Sequence, residues 1–165
     1  MAIIFLEPVF KERIWGGKRI KDVFNYDIQK DKIGECWAIS GHDNGSSMVI
    51  SGNYKGLNLK ELYDKHKKEL FNDDPSAKFP LLIKILDADD DLSVQVHPDD
   101  AFALSHENEF GKTECWYVID AKKDAKIIDG HLATSKTEFI QKIKDNDLSL
   151  WHYRSIKKDD FIYSF

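Results

Sequence analysis

Cysteine is scarce: Cys36 and Cys115 are the two in a chain of 165 residues, too few for a disulfide framework. Both sit in apolar segments, which predicts buried free thiols. Long apolar runs are also missing. No stretch approaches the roughly 18 apolar residues of a membrane span, and the opening MAIIFLEPVFKE is interrupted at Glu7 and Pro8 with no basic leader. Positive charge is not in excess, since 24 basic side chains face 29 acidic ones for a net charge of −5. The densest basic patch, Lys65 to Glu69, lies beside Glu61 and Asp64 and reads as a solvated helix face, so no nucleic-acid partner is expected. Repeats and low-complexity segments are absent. These exclusions leave a soluble, cytoplasmic protein with no membrane association, and the sequence does not specify its oligomeric state.

What is present is enough for a core. A hydrophobic fraction of 42% excludes a disordered chain, and the length fits one domain spanning residues 1–165. An extended start, IIFLEPVF, leads to RIWGG, where Trp15 precedes two glycines that mark a turn or a close approach of backbone. Ile33 to Ser40 is predicted as a strand with Glu35, Trp37 and Ile39 on one face. A carboxylate on so apolar a strand needs a partner. His42 follows in a turn and is expected to be solvated. Asn58 to Phe71 is the clearest helix, with Asn58 and Glu61 as its capping box. Phe79 to Leu86 is nearly continuous apolar sequence and predicts a strand buried on both sides, interrupted by Lys84. Ser135 to Asn146 predicts a second helix, capped by Ser135 and Glu138, with Phe139, Ile140 and Ile143 as its buried stripe. TECWYVID and AKIIDG are expected to form a hairpin, and FIYSF reads as a closing strand. Strand-rich segments with two helices favour an all-β domain.

The chemistry concentrates in Ser93 to Asp100, SVQVHPDD, and Gly111 to Val118, GKTECWYV. Successive side chains of a strand alternate between faces, so Ser93, Gln95 and His97 share one face and Leu92, Val94 and Val96 the other. The same parity places Lys112 with Glu114. Imidazole and carboxylate suit zinc and its first-row neighbours, and a site with few protein ligands leaves room for water or substrate. A solvated polar strand face is the competing reading of this pattern. Asp99 or Asp100 is expected to cap a short helical turn after Pro98.

The run FPLLIKILDADDDLSVQVHPDD, followed by GKTECWYVID, resembles the core signature of class I mannose-6-phosphate isomerases, zinc enzymes of the cupin superfamily. The Trp15–Gly16 pair and the Gly34, Glu35, Trp37 and Ser40 pattern are similar to further family motifs. The resemblance implies a cupin-like jelly-roll barrel with helical insertions, incomplete at its C-terminal end. It implies Gln95, His97 and Glu114 as ligands of one Zn2+, other divalent metals being alternatives. Trp15, Glu35, Ser93 and Lys112 would line the site of a phosphorylated hexose, with Glu35 and Lys112 in catalysis. Ser93 would contact phosphate, and Lys112 would contact phosphate or transfer a proton. The implied reaction interconverts mannose 6-phosphate and fructose 6-phosphate. The family's Thr-Val-His zinc-ligand segment, which follows the strand corresponding to FIYSF, and the Tyr-Arg motif further along are not in the sequence, so the chain is expected to correspond to about the first half of a short bacterial member and to lack full activity alone. The alternative function is a non-catalytic sugar-phosphate-binding or regulatory cupin.

Overall fold

The computed structural model describes residues 3–164. They divide into two compact units, one ending at Leu92 and the other beginning at Ser93.

The first unit contains β1 (Leu6–Glu7), β2 (Val9–Gly17), α1 (Arg19–Phe24), β3 (Ile33–His42), β4 (Gly45–Ser46), β5 (Met48–Val49), α2 (Leu59–Leu70) and β6 (Leu82–Leu86). The central strand is β3, which pairs antiparallel with β2 on one side and β6 on the other, while β1 pairs with β5. Register decides what each face carries. Lys11 lies opposite Glu35, and Trp37 lies opposite Lys84, so these polar residues share one sheet face. The other face packs Phe10, Cys36, Ala38 and Ile85 around Ile20, Ile28 and Ile33. Burial pushes the Cys36 thiol up to about 11, which makes it an inert packing residue.

Gly16 and Gly17 do not form the turn suggested by their composition; they finish β2. Their role is close approach, since a Cβ on Gly16 would stand 2.4 Å from the backbone nitrogen of Gly34. Helix α2 carries the predicted capping box: the Asn58 side chain accepts from the Glu61 N–H, and Glu61 accepts from the Asn58 N–H. Its buried residues Leu59 and Leu62 pack against Val49. The expectation that Phe79 to Leu86 is buried on both sides does not hold. Strand β6 pairs with β3 alone among the described strands, and Leu81 and Ile83 are exposed. His42 is not simply solvated: its ring meets Trp37 edge to face, and its Nδ1 accepts from the Asn44 N–H at 3.0 Å.

The second unit contains α3 (Asp100–His106), β7 (Glu114–Tyr117), β8 (Lys126–His131), α4 (Lys136–Lys144), β9 (Trp151–Ser155) and β10 (Phe161–Ser164). The expected hairpin between TECWYVID and AKIIDG is not formed. Strand β7 pairs instead with β10, and β8 with β9, both antiparallel. A run with strand character does not name its partner, and here each takes a later strand. Residues 92–98 form no ladder, and Val94 and Val96 are exposed, the latter by 83%, so the expected apolar back of this segment faces solvent. The buried stripe predicted for the second helix is likewise corrected, because Ile140 and Ile143 of α4 are exposed. Cys115 is exposed rather than buried. Ser135 caps α4 by accepting from the Glu138 N–H at 3.1 Å, but Glu138 reaches back to Thr134 instead of Ser135. Phe165 lies outside the described residues.

The architecture is mostly sheet with some helices, and the strands close into no barrel among the described residues. No described helix is long and apolar enough to cross a membrane.

Candidate functional site

In the second unit, local structure brings the two motifs together. Pro98 confines His97 to extended backbone, and Asp99 caps α3 by accepting from the Phe102 N–H at 2.8 Å. The Asp100 carboxylate accepts from the Gly111 N–H at 2.8 Å, tying the start of GKTE to the end of HPDD. Gly111 has no room for a side chain, since a Cβ there would lie 2.6 Å from the Asp99 carbonyl carbon. Lys112 and Glu114 therefore fall beside His97.

The resulting cluster is compact. His97 Nε2 stands 3.6 Å from Glu114 Oε2, Lys112 Nζ 2.5 Å from Glu114 Oε1, and Lys112 Nζ 3.4 Å from His97 Nε2. The Trp116 indole N–H donates to Glu114 Oε2 at 3.4 Å. Burial alone would raise the Glu114 carboxyl, but Lys112, His97 and Trp116 outweigh it and hold the group below its ordinary value of 4.5. Two ligands about 2.1 Å from a tetrahedral ion stand roughly 3.4 Å apart, so the imidazole and carboxylate have the bite of a single divalent cation. Among the described residues no group of three or more His, Cys, Asp and Glu side chains is placed to hold a metal. Gln95 and Ser93 form a separate exposed pair, the Gln95 amide donating to Ser93 Oγ at 3.0 Å. Trp116 was not singled out by the sequence, although its position two residues beyond Glu114 on a strand was signal enough.

The first unit holds a second cluster. Glu35 is 8% exposed and accepts from Arg13 Nε and Nη2 at 3.2 Å each and from Trp37 Nε1 at 2.5 Å, with Lys84 Nζ 3.8 Å away. Burial tends to raise this carboxyl, yet Trp37, Lys84 and Arg13 together keep it below its usual range. The partner expected for Glu35 is thus identified, and it is threefold. Lys11 Nζ donates to the Asn44 carbonyl at 2.6 Å and stands 4.7 Å from the centre of the Trp37 ring, over which Lys84 also lies, at 5.3 Å. Neither Arg13 nor Lys11 was legible as a member, because strand register is not written in either strand alone. Trp15 is half-buried, its ring lies against Gly34, and its carbonyl accepts from the Asp89 N–H at 2.9 Å.

Comparison with known proteins bears on both units. Residues 3–112 match the family model described as phosphomannose isomerase type I, catalytic domain. The chain is 52% identical over 162 residues to mannose-6-phosphate isomerase ManA of Bacillus subtilis, covering 97% of this chain and 51% of that protein. It is also 52% identical over 164 residues to the mannose-6-phosphate isomerase of Streptococcus mutans, with the same coverage. A crystal structure of the mannose 6-phosphate isomerase from Bacillus subtilis superposes with a TM-score of 0.96 at 50% identity, covering 99% of this chain and 52% of that one. The chain spans about half the length of the curated relatives it matches. With more than half of its residues within the family model and a solved relative of nearly the same backbone, the chain belongs to the type I phosphomannose isomerase family.

Proposed function

We propose that this chain supplies metal-binding and proton-transfer residues to a zinc-dependent isomerase that interconverts mannose 6-phosphate and fructose 6-phosphate, on a cupin-type jelly roll in the cytoplasm. The observation that carries the reading is the 3.6 Å separation of His97 Nε2 and Glu114 Oε2. His97 and Glu114 would hold the ion through imidazole nitrogen and carboxylate oxygen, with the Gln95 amide oxygen as a further donor. When bound there, a divalent cation supplies Lewis-acid stabilisation of negative charge on an enediol oxygen.

The remaining chemistry falls to the chain's own groups. Lys112 Nζ adjoins both the imidazole and the carboxylate, and the reacting carbons C1 and C2 lie at the opposite end of the hexose from its phosphate. This favours Lys112 as the group that holds and returns a proton over Lys112 as a phosphate contact. Ser93, with its hydroxyl oxygen accepting from Gln95, is the proposed phosphate contact. The Glu35 carboxylate is committed to Arg13, Trp37 and Lys84, which supports a positioning role in place of proton transfer.

The test is a chimera in which this chain replaces the matching part of the Bacillus subtilis relative, assayed for isomerisation of mannose 6-phosphate. Turnover that disappears with His97→Ala or Glu114→Ala is expected. A folded chimera with no turnover and no bound zinc refutes the reading.

A further inference from the structure

The ammonium of Lys112 touches both side chains that have the bite of one cation: it lies 3.4 Å from His97 Nε2 and 2.5 Å from Glu114 Oε1, while Oε2 of the same carboxylate stands 3.6 Å from Nε2. An ammonium has three donors and no acceptor. It can donate to Nε2 only in the ring form that carries its proton on Nδ1. This is the tautomer in which Nε2 can ligate a metal. At Glu114 the same ammonium faces a carboxylate that is 23% exposed, giving a half-buried anion a counter-charge of its own. One tethered cation thus stands against both side chains proposed to hold a divalent ion.

We infer that Lys112 is a resident stand-in for the metal: it occupies the cation position between His97 and Glu114 in the metal-free protein, and loading a divalent ion displaces it. The inference rests on the metal reading given under Proposed function. It assigns Lys112 two positions, one on Glu114 before loading and one released from it afterwards, when its ammonium becomes available to other groups. Two consequences follow from charge alone. The dication must overcome both the lost Lys112–Glu114 pair and its own repulsion from the displaced ammonium, so Lys112 weakens metal binding. Without metal, removing Lys112 takes away the counter-charge 2.5 Å from a half-buried carboxylate, so the metal-free protein loses stability.

The experiment titrates Zn2+ into the purified chain against a competing chromophoric chelator, at one fixed pH and ionic strength, for the wild type, Lys112→Met, Lys112→Gln and Lys112→Arg. His97→Ala identifies the site. Removing a unit charge about 5 Å from a dication in a half-exposed site should tighten binding roughly tenfold in the Met and Gln variants. The Arg variant, which keeps the charge, should stay near the wild type. Equal affinities in all four proteins, or weaker binding in the Met and Gln variants, overturns the stand-in while leaving the metal reading intact. Binding by none of them overturns both. A second measurement needs no substitution: amine labelling of the wild-type chain, read at Lys112 by peptide mass spectrometry, should rise when Zn2+ is added. Labelling that stays constant or falls overturns the displacement.

Discussion

Replacing Glu35 by alanine should destabilise the first unit by about 3 kcal/mol, a figure that follows from what the carboxylate holds. Breaking a buried ion pair by deleting one member costs roughly 3–5 kcal/mol when the survivor cannot rehydrate. Here the Arg13 side chain is 38% exposed and recovers part of its hydration, which places the pair toward or below the lower end of that range. Against this discount, the indole N–H of Trp37, a residue only 7% exposed, loses its acceptor, and an orphaned buried donor costs about 1–3 kcal/mol. Lys84, with its side chain 24% exposed, loses a carboxylate at 3.8 Å. In urea, with a slope near 2 kcal/mol per molar, the loss moves the midpoint down by roughly 1.5 M, readable by far-UV circular dichroism. Arg13→Ala should cost less, because Glu35 keeps Trp37 and Lys84. The double variant should be less destabilised than the sum of the two by about 1 kcal/mol or more, since the residues touch. Two results would refute the reasoning: a Glu35→Ala protein within about 0.5 kcal/mol of the wild type, or strict additivity in the double variant.

Asn58→Ala removes the acceptor of the Glu61 N–H at the start of α2 and should cost about 1 kcal/mol, seen as a lower urea midpoint at unchanged slope. Gly16→Ala drives a Cβ to 2.4 Å from the Gly34 backbone nitrogen, which cannot rotate away. Its loss should reach or exceed the ~1–3 kcal/mol typical of overpacking, and a melting temperature equal to that of the wild type would contradict the contact. Glu35 and Glu114 both have folded-state values below their ordinary 4.5, so the unfolded chain takes up protons first on acidification. The stability they contribute is complete above that value and is lost as the pH falls through the lower folded values. Melting temperatures measured from about pH 7 down to about pH 3 should therefore be nearly flat and then fall, with a smaller acid-side drop in Glu35→Gln.

The sequence by itself determined the features that depend on near neighbours. The capping box of α2 needs only Asn58 and Glu61 three residues apart, so it was legible, and the cap after Pro98 needs only a short acidic side chain, which narrowed it to Asp99 or Asp100 before the structure chose Asp99. Period-two alternation along one strand was legible for the same reason, and it set Glu35 with Trp37 and Lys112 with Glu114. The family motifs also lie within short runs, which is why the membership was readable from residues 79–120.

Tertiary structure decided everything that required knowing a partner across space. Strand register joined Arg13 and Lys84 to Glu35, and the Asp100–Gly111 bond seated Lys112 on Glu114. It gave β7 to β10 instead of β8, and it left Val94, Val96, Ile140 and Ile143 facing solvent although their spacing marked them as core. The physical reason is common to all of these cases. Apolar periodicity states which face of an element can be buried, but burial and pairing are supplied by another element, and the sequence of one does not contain the position of the other.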